Sequence, residues 1–231
     1  MNGLNGLDAS ILVMAKAPIP GRVKTRLHPP CTFHEAARIA EAALEDTLRA
    51  VSEVPVGRRI LVLDGRPGPW LPPGFTVLPQ RGEGLDERVA AAFEDASGMA
   101  LLIGMDTPQV SPSVLGAALD DLMKAPGDAV LGLATDGGWW AIGLRRPDSR
   151  IFLGVPMSAE VTGRAQIERL DRLGIEWRSL PTLRDVDRFS DALAVASATP
   201  HSRFAQAVEA VSARIGEAEL VSSEELARTG R

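Results

Sequence analysis

The chain predicts a three-layer α/β domain in which helices cover both faces of a mainly parallel sheet. Three observations predict it. Short apolar runs alternate with helix-length amphipathic runs along most of the chain, the pattern of strands joined by crossover helices. Apolar residues make up 45% and charged residues 24%, which excludes a disordered chain, a coiled coil and a collagen-like fibre. The 231 residues suit one domain with a tail better than two full domains of about 150 residues each.

The elements follow in order. Residues 1–9 read as a flexible N-terminus. Residues 10–15 form a continuous apolar run entering a Pro/Gly-rich loop at 17–21, as a buried strand does. Thr32 can cap a helix, Glu35 completes a capping-box pattern, and apolar positions continue to about Val51. Strands are expected at 59–63 and 75–78, a helix at 85–96, and a strongly apolar strand at 100–104. Residues 111–125 read as helical, with Pro112 at the first-turn position that favours proline. Strands at 129–134 and 139–144 flank Asp136-Gly137-Gly138. Ser158 is expected to open a helix to about Leu173, ended by Gly174. A last strand at 176–180 precedes helices at 189–196 and 203–215. The domain is thus placed at residues 10–215, and the polar C-terminal tail, 216–231, is expected to fray.

The net charge of −5 speaks against a general nucleic-acid binder. Its distribution is more telling. Between Asp8 and Glu35 there is no acid, while Lys16, Arg22, Lys24 and Arg26 supply +4, so the rest of the chain carries −9. A basic window in an acidic protein points to a bound anion, with phosphate foremost. Apolar runs such as 11–15 and 99–103 fall far short of the ~20 residues that span a bilayer, and no export-signal pattern is present. The single cysteine, Cys31, cannot form an internal disulfide. A cytoplasmic protein without membrane contact is expected.

In a parallel sheet, ligands bind beyond the carboxyl ends of the strands, so the loops that follow strands are where chemistry is expected. The first runs from Ala15 and Lys16 through Gly21, Arg22, Lys24 and Arg26. Its glycine permits close backbone approach, its prolines stiffen it, and its cations can neutralise a polyphosphate. Lys24-Thr25 lacks the glycine pair of a P-loop, and one glycine does not make a dinucleotide fingerprint. The second, Gly104-Met105-Asp106-Thr107-Pro108, ends an apolar strand in a carboxylate that can hold Mg²⁺ or simply start a turn. The third, Asp185-Val186-Asp187, points both carboxylates one way if extended. Asp187 can complete a metal site with Asp106, or the segment can cap the next helix. The fourth, Asp136-Gly137-Gly138-Trp139-Trp140, is either an acceptor-facing turn or a plain hairpin turn with Trp140 in the core. The fifth, residues 80–85, offers Gln80, whose amide suits a nucleobase edge, and Gly84. His28, His34 and His201 show no metal-ligand spacing, and no Ser/His/Asp or Cys/His arrangement is apparent.

Taken together, residues 16–27, Gly82-x-Gly84-Leu85, Gly104-x-Asp106-Thr107-Pro108, Asp136-Gly137-Gly138 and Asp185-Val186-Asp187 resemble, in their order, an uncharacterised family of the glycosyltransferase-A or nucleotide-diphospho-sugar transferase fold. Some members of that family are labelled arsenosugar-biosynthesis glycosyltransferases, and it is similar to guanylyltransferases for molybdenum cofactor and phospholactate. The resemblance covers residues 11–193 and implies a Rossmann-like, mixed and mainly parallel sheet. It implies that Ala15, Lys16, Gly21, Arg22, Lys24, Arg26, Gln80 and Gly84 bind a nucleotide and that Asp106 and Asp187 bind Mg²⁺ or Mn²⁺. By the same resemblance Asp136, Gly137, Gly138, Trp139 and Ser158 face an acceptor. The family usually has tyrosines at Trp139 and Trp140, and often glycine at Asp86.

The reading that results is Mg²⁺-dependent nucleotidyl transfer. An NTP joins a small phosphorylated acceptor with release of pyrophosphate, and Lys24, Asp106 and Asp136 are the catalytic candidates. Such a reaction needs positioning and charge neutralisation rather than a protein nucleophile. The alternatives are sugar transfer from a nucleotide-sugar donor and non-catalytic nucleotide binding. The missing Asp-x-Asp after the fourth strand favours the first. A monomer or homodimer is expected.

Overall fold

The computed structural model describes residues 9–124 and 127–229. Residues 1–8 of the flexible terminus read at 1–9, the final Ala125 of the 111–125 helix and the last two residues of the tail lie outside these, while Ala9 is described and buried. In chain order the elements are β1 (Ser10–Lys16), α1 (Phe33–Ser52), β2 (Arg58–Asp64), β3 (Thr76–Pro79), α2 (Leu85–Ala96), β4 (Ala100–Gly104) and α3 (Pro112–Lys124). There follow β5 (Ala129–Ala134), β6 (Trp139–Leu144), α4 (Thr162–Arg172), β7 (Trp177–Leu183), α5 (Phe189–Ala198) and α6 (Arg203–Thr229).

The strands form one sheet in the order β3-β2-β1-β4-β6-β5-β7. Among the described strands only β6 runs against its neighbours, because the tight turn after β5 sends the chain straight back along it. The α/β class is therefore as the alternation predicts. The direction of winding reverses between β1 and β4, and that reversal opens a crevice above the strand ends.

Strand alternation sorts the core. Ile11, Val13, Leu101 and Ile103 face α1 and α3, meeting Ala40, Leu44, Leu48, Leu115 and Leu119. Leu12, Leu102 and Ile142 face the other way, onto Val89 and Phe93 of α2, Phe152 and Leu170. A third cluster sets Ala36, Ile39 and Ala43 on the far side of α1 against Ala192 and Val195 of α5 and Phe204 and Val208 of α6. Helix α1 is thus buried on two sides, which explains its many alanines: larger side chains would not let both neighbours approach. Its start is fixed by the capping box. The Thr32 hydroxyl accepts from Glu35 N at 3.2 Å and the Glu35 carboxylate accepts from Thr32 N at 2.7 Å.

Three expectations are corrected. Helix α4 opens at Thr162, not at Ser158, whose φ of +57° is left-handed and cannot lead a right-handed helix. Strand β7 continues to Leu183 through Pro181, tolerable because β7 is an edge strand with no neighbour on one side. Helix α6 runs to Thr229 instead of stopping at 215, since the acidic, alanine- and leucine-containing tail consists largely of good helix formers. No described helix is long and apolar enough to cross a membrane.

Candidate functional site

The loops after β1, β4 and β7 are stitched together at the carboxyl edge of the sheet. Lys24 adopts a left-handed backbone conformation (φ +48°), uncommon for a residue with a side chain. It sends a nearly buried side chain, 8% exposed, to Asp106, with Nζ 2.7 Å from Oδ1. The same ammonium donates to the carbonyl of Val186. Val186 N in turn donates to the carbonyl of Asp106 at 2.9 Å, and Gln109 Nε2 donates to the carbonyl of Arg184 at 2.5 Å. Two residues beyond Lys24, Arg26 places Nη1 2.7 Å from Asp187 Oδ2. The acid-free window therefore meets aspartates from two distant segments.

A second convergence lies beside the first. Thr135 N donates to Leu183 O at 3.0 Å, tying the β5–β6 turn to the end of β7. Oxygens of Asp136, Asp185 and Asp187 consequently lie within 4.8 Å of one another. Burial, and then the charge of Asp136 with that of Asp187, pushes the Asp185 carboxyl up to about 6. Three crowded carboxylates are a hard oxygen donor set of the kind that suits Mg²⁺ or Mn²⁺, and a divalent cation would relieve their mutual repulsion. The sequence reading pairs Asp106 with Asp187 and assigns Asp136 to the acceptor. The structure gives these carboxylates other partners: Asp106 faces Lys24, and Asp187 sits with Asp136 and Asp185. Asp185 is the member that sequence reasoning left without a role, although the two-residue alternation already aligned it with Asp187.

The turn that carries Asp136 is tightly built. Asp136 Oδ1 accepts from Gly138 N at 2.7 Å, and Gly163 N, at the start of α4, donates to Gly137 O at 2.8 Å. A Cβ on Gly137, whose φ is +92°, would lie 2.2 Å from the carbonyl oxygen of Glu160. Only glycine fits between the turn and α4. Trp139 is half-buried against the α2-side core, and among the described residues its Nε1 has no hydrogen-bond partner. Trp140 is core, with Nε1 donating to Pro181 O at 2.9 Å. Ser158 is exposed, in the segment that leads into α4.

On the opposite side of β1, Gln80 Nε2 donates to the carbonyls of Ala15 and Val62 at 2.9 and 3.3 Å. Its amide nitrogen is thus engaged with backbone, while its oxygen meets Arg88 Nη1 at 3.4 Å. Gly84 is the N-cap of α2. Lys16, at the end of β1, and Gly21 and Arg22, on the loop after it, are exposed.

Residues 47–159 match a family of uncharacterised proteins conserved in bacteria (DUF2064). No curated protein matches the chain by sequence. A crystal structure from Desulfovibrio desulfuricans G20, described as a nucleotide-diphospho-sugar transferase, is 26% identical with a TM-score of 0.81 over 91% of this chain and 97% of that one. A cytidylyltransferase from Leptospira borgpetersenii is 12% identical with a TM-score of 0.53, covering 90% of this chain and 95% of its own. CMP:2-keto-3-deoxy-manno-octonic acid synthetase in complex with CTP is also 12% identical at a TM-score of 0.53, covering 83% and 98%. The fold is that of the nucleotide-diphospho-sugar transferases.

Proposed function

We propose that the chain is a divalent-cation-dependent transferase acting on a nucleotide, and that its reaction is nucleotidyl transfer from an NTP to a small phosphorylated acceptor. One observation carries the reading: the basic loop after β1 meets carboxylates from the ends of β4 and β7 at the winding reversal of the sheet. Lys24 and Arg26, with Lys16 at the end of β1, neutralise the phosphates. Asp136, Asp185 and Asp187 hold the ion, and Asp106 becomes free to join them when a phosphate takes up Lys24. When bound, the cation supplies charge neutralisation for the departing pyrophosphate. Gln80, Gly84 and the Ala15 backbone lie toward the nucleoside. The Asp136–Trp139 turn, with Ser158, lies toward the acceptor, whose oxygen attacks the α-phosphorus as the bond to pyrophosphate breaks.

Sugar transfer from a nucleotide sugar is the second reading. It is favoured by the joint membership of Asp185 and Asp187 in one acidic cluster and by the description of the Desulfovibrio protein. The two separate on product. Incubation with each common NTP, MgCl₂ and a panel of phosphorylated metabolites should release pyrophosphate only when an acceptor is present. Release of free nucleoside diphosphate from a nucleotide sugar, without pyrophosphate, would establish the second reading instead. Failure to bind any nucleotide in the presence of Mg²⁺ would overturn both.

A further inference from the structure

A second crevice opens on the α1 side of the sheet edge, between the loops after β1 and β2. Its volume is about 490 Å³, and it is lined by Ala17, Pro18, Ile19 and Arg22 of the loop after β1, by Gly65, Arg66, Pro69 and Trp70 of the loop after β2, and by Glu41 of α1. The crevice is built into the fold. Ala17 N donates to Asp64 O at 2.8 Å, joining the two loops at its base. Gly65, at φ +119°, packs so closely that a Cβ would lie 2.6 Å from that of Ala17. Trp70 is anchored in the core with 7% of its surface exposed. The volume falls in the range of small-molecule sites, about 300–1,000 Å³.

Its charged groups are uncommitted. The other cations of the loop, Lys24 and Arg26, are paired with aspartates. Among the described residues, no hydrogen bond or ion pair engages the side chains of Arg22, Arg66 or Glu41. Two guanidiniums offer forked donors that match the oxygens of a phosphate or carboxylate. One half-buried carboxylate offers only acceptors, which suit hydroxyls. Pro18, Ile19, Pro69 and Trp70 supply an apolar wall for a carbon skeleton.

We propose that this crevice is a second ligand site, distinct from the nucleotide path, for a small hydroxylated phosphomonoester such as a sugar or polyol phosphate. Arg22 and Arg66 take the phosphate and Glu41 takes hydroxyls. Because Arg22 lies two residues from Lys24, occupancy also fixes the loop that faces the aspartates. The proposal does not depend on the transferase reading.

Calorimetry on the full chain tests it, with glucose 6-phosphate as probe and inorganic phosphate and glucose as its separated halves. The expected order is glucose 6-phosphate tightest, phosphate weaker, glucose undetectable. Arg66→Ala and Glu41→Ala should each weaken glucose 6-phosphate by about tenfold or more, the scale of a lost charge-assisted hydrogen bond. Both variants should keep the wild-type melting temperature and nucleotide affinity. A saturating mixture of NTPs with MgCl₂ should leave the site able to bind. Absence of binding by any probe, binding unaffected by both variants, or full displacement by the nucleotides would each overturn the proposal. Binding by free carboxylates such as glycerate, tighter than by the phosphomonoester, would overturn the assigned class.

Discussion

Lys24 sits where two demands meet. Its left-handed backbone and near-complete burial are held by Asp106 and by the Val186 carbonyl, so without ligand its charge is spent inside the protein. A phosphate must compete with that pair. Lys24→Ala should still weaken nucleotide binding by about 1.5–3 kcal/mol, the worth of a hydrogen bond to a charged group, and an unchanged dissociation constant by calorimetry would refute its role. Asp106→Asn keeps an acceptor beside Lys24, so it should leave the melting temperature near wild type while abolishing turnover. The acidic cluster makes the opposite kind of prediction. Burial, and then crowding with Asp136 and Asp187, disfavours the charged form of Asp185, so replacing that carboxylate should stabilise the metal-free protein. Asp185→Asn should melt about 2–4 °C higher without metal, the equivalent of ~1 kcal/mol at this chain length. It should also lose the rise that MnCl₂ gives the wild type. A variant that melts lower and still gains from MnCl₂ would remove these residues from the metal site.

At the level of elements, the start of α1 shows how a local signal becomes a tertiary one. Glu35 closes the capping box and also receives Arg214 Nε of α6 at 2.6 Å, while Arg214 reaches the carbonyl of Pro30. Partial burial works to raise the Glu35 carboxyl, but bonds from Arg214 and from the Thr32 backbone and hydroxyl outweigh it and hold the group below its ordinary 4.5. A depressed acid adds stability above its unfolded value and loses it as pH falls through the folded one. Glu35→Gln should therefore cost about 0.5–1 kcal/mol at pH 7 by denaturant titration, after solvent screening is allowed for. The gap should close as pH falls below the ordinary carboxylate range, through the lowered value of Glu35. A gap that persists at low pH would deny the ionic contribution. Residues 32–35 were readable because capping is a four-residue code. So were the loops bearing Lys24, Asp106, Asp136 and Asp187, since apolar strands mark where they begin. What local pattern could not carry is which acid meets which cation. That depends on the β5–β6 turn being tied to β7 through Thr135 and Leu183, a contact 48 residues apart in sequence that no periodicity encodes. The true start of α4 was hidden for a related reason. Ser158 looks like a cap, but the segment before Thr162 is set by its contact with Gly137.

Across the whole molecule, the third apolar cluster connects stability to the site. Leu27, one residue past Arg26, and Val186, between Asp185 and Asp187, are both buried in it with Phe204, Val195 and the outer face of α1. Helices α5 and α6 thus cover α1 and also grip the two loops whose charges face each other. Position within the fold, and not only burial, should then decide what a cavity does to binding. Phe204→Ala removes a fully buried ring from this cluster, and Leu119→Ala removes a comparable group from the α3 side of the sheet, in a different cluster from Leu27 and Val186. Each should cost about 2–5 kcal/mol of stability. At a temperature where both variants remain folded, only Phe204→Ala should also weaken nucleotide and Mn²⁺ binding, because loosening Leu27 and Val186 lets Arg26 and the aspartates spread. Equal affinities for the two variants would mean that the loops hold their geometry alone and that α5 and α6 serve only to cover α1. A loss confined to Phe204→Ala would instead make the C-terminal helices part of the device that organises the charged edge of the sheet.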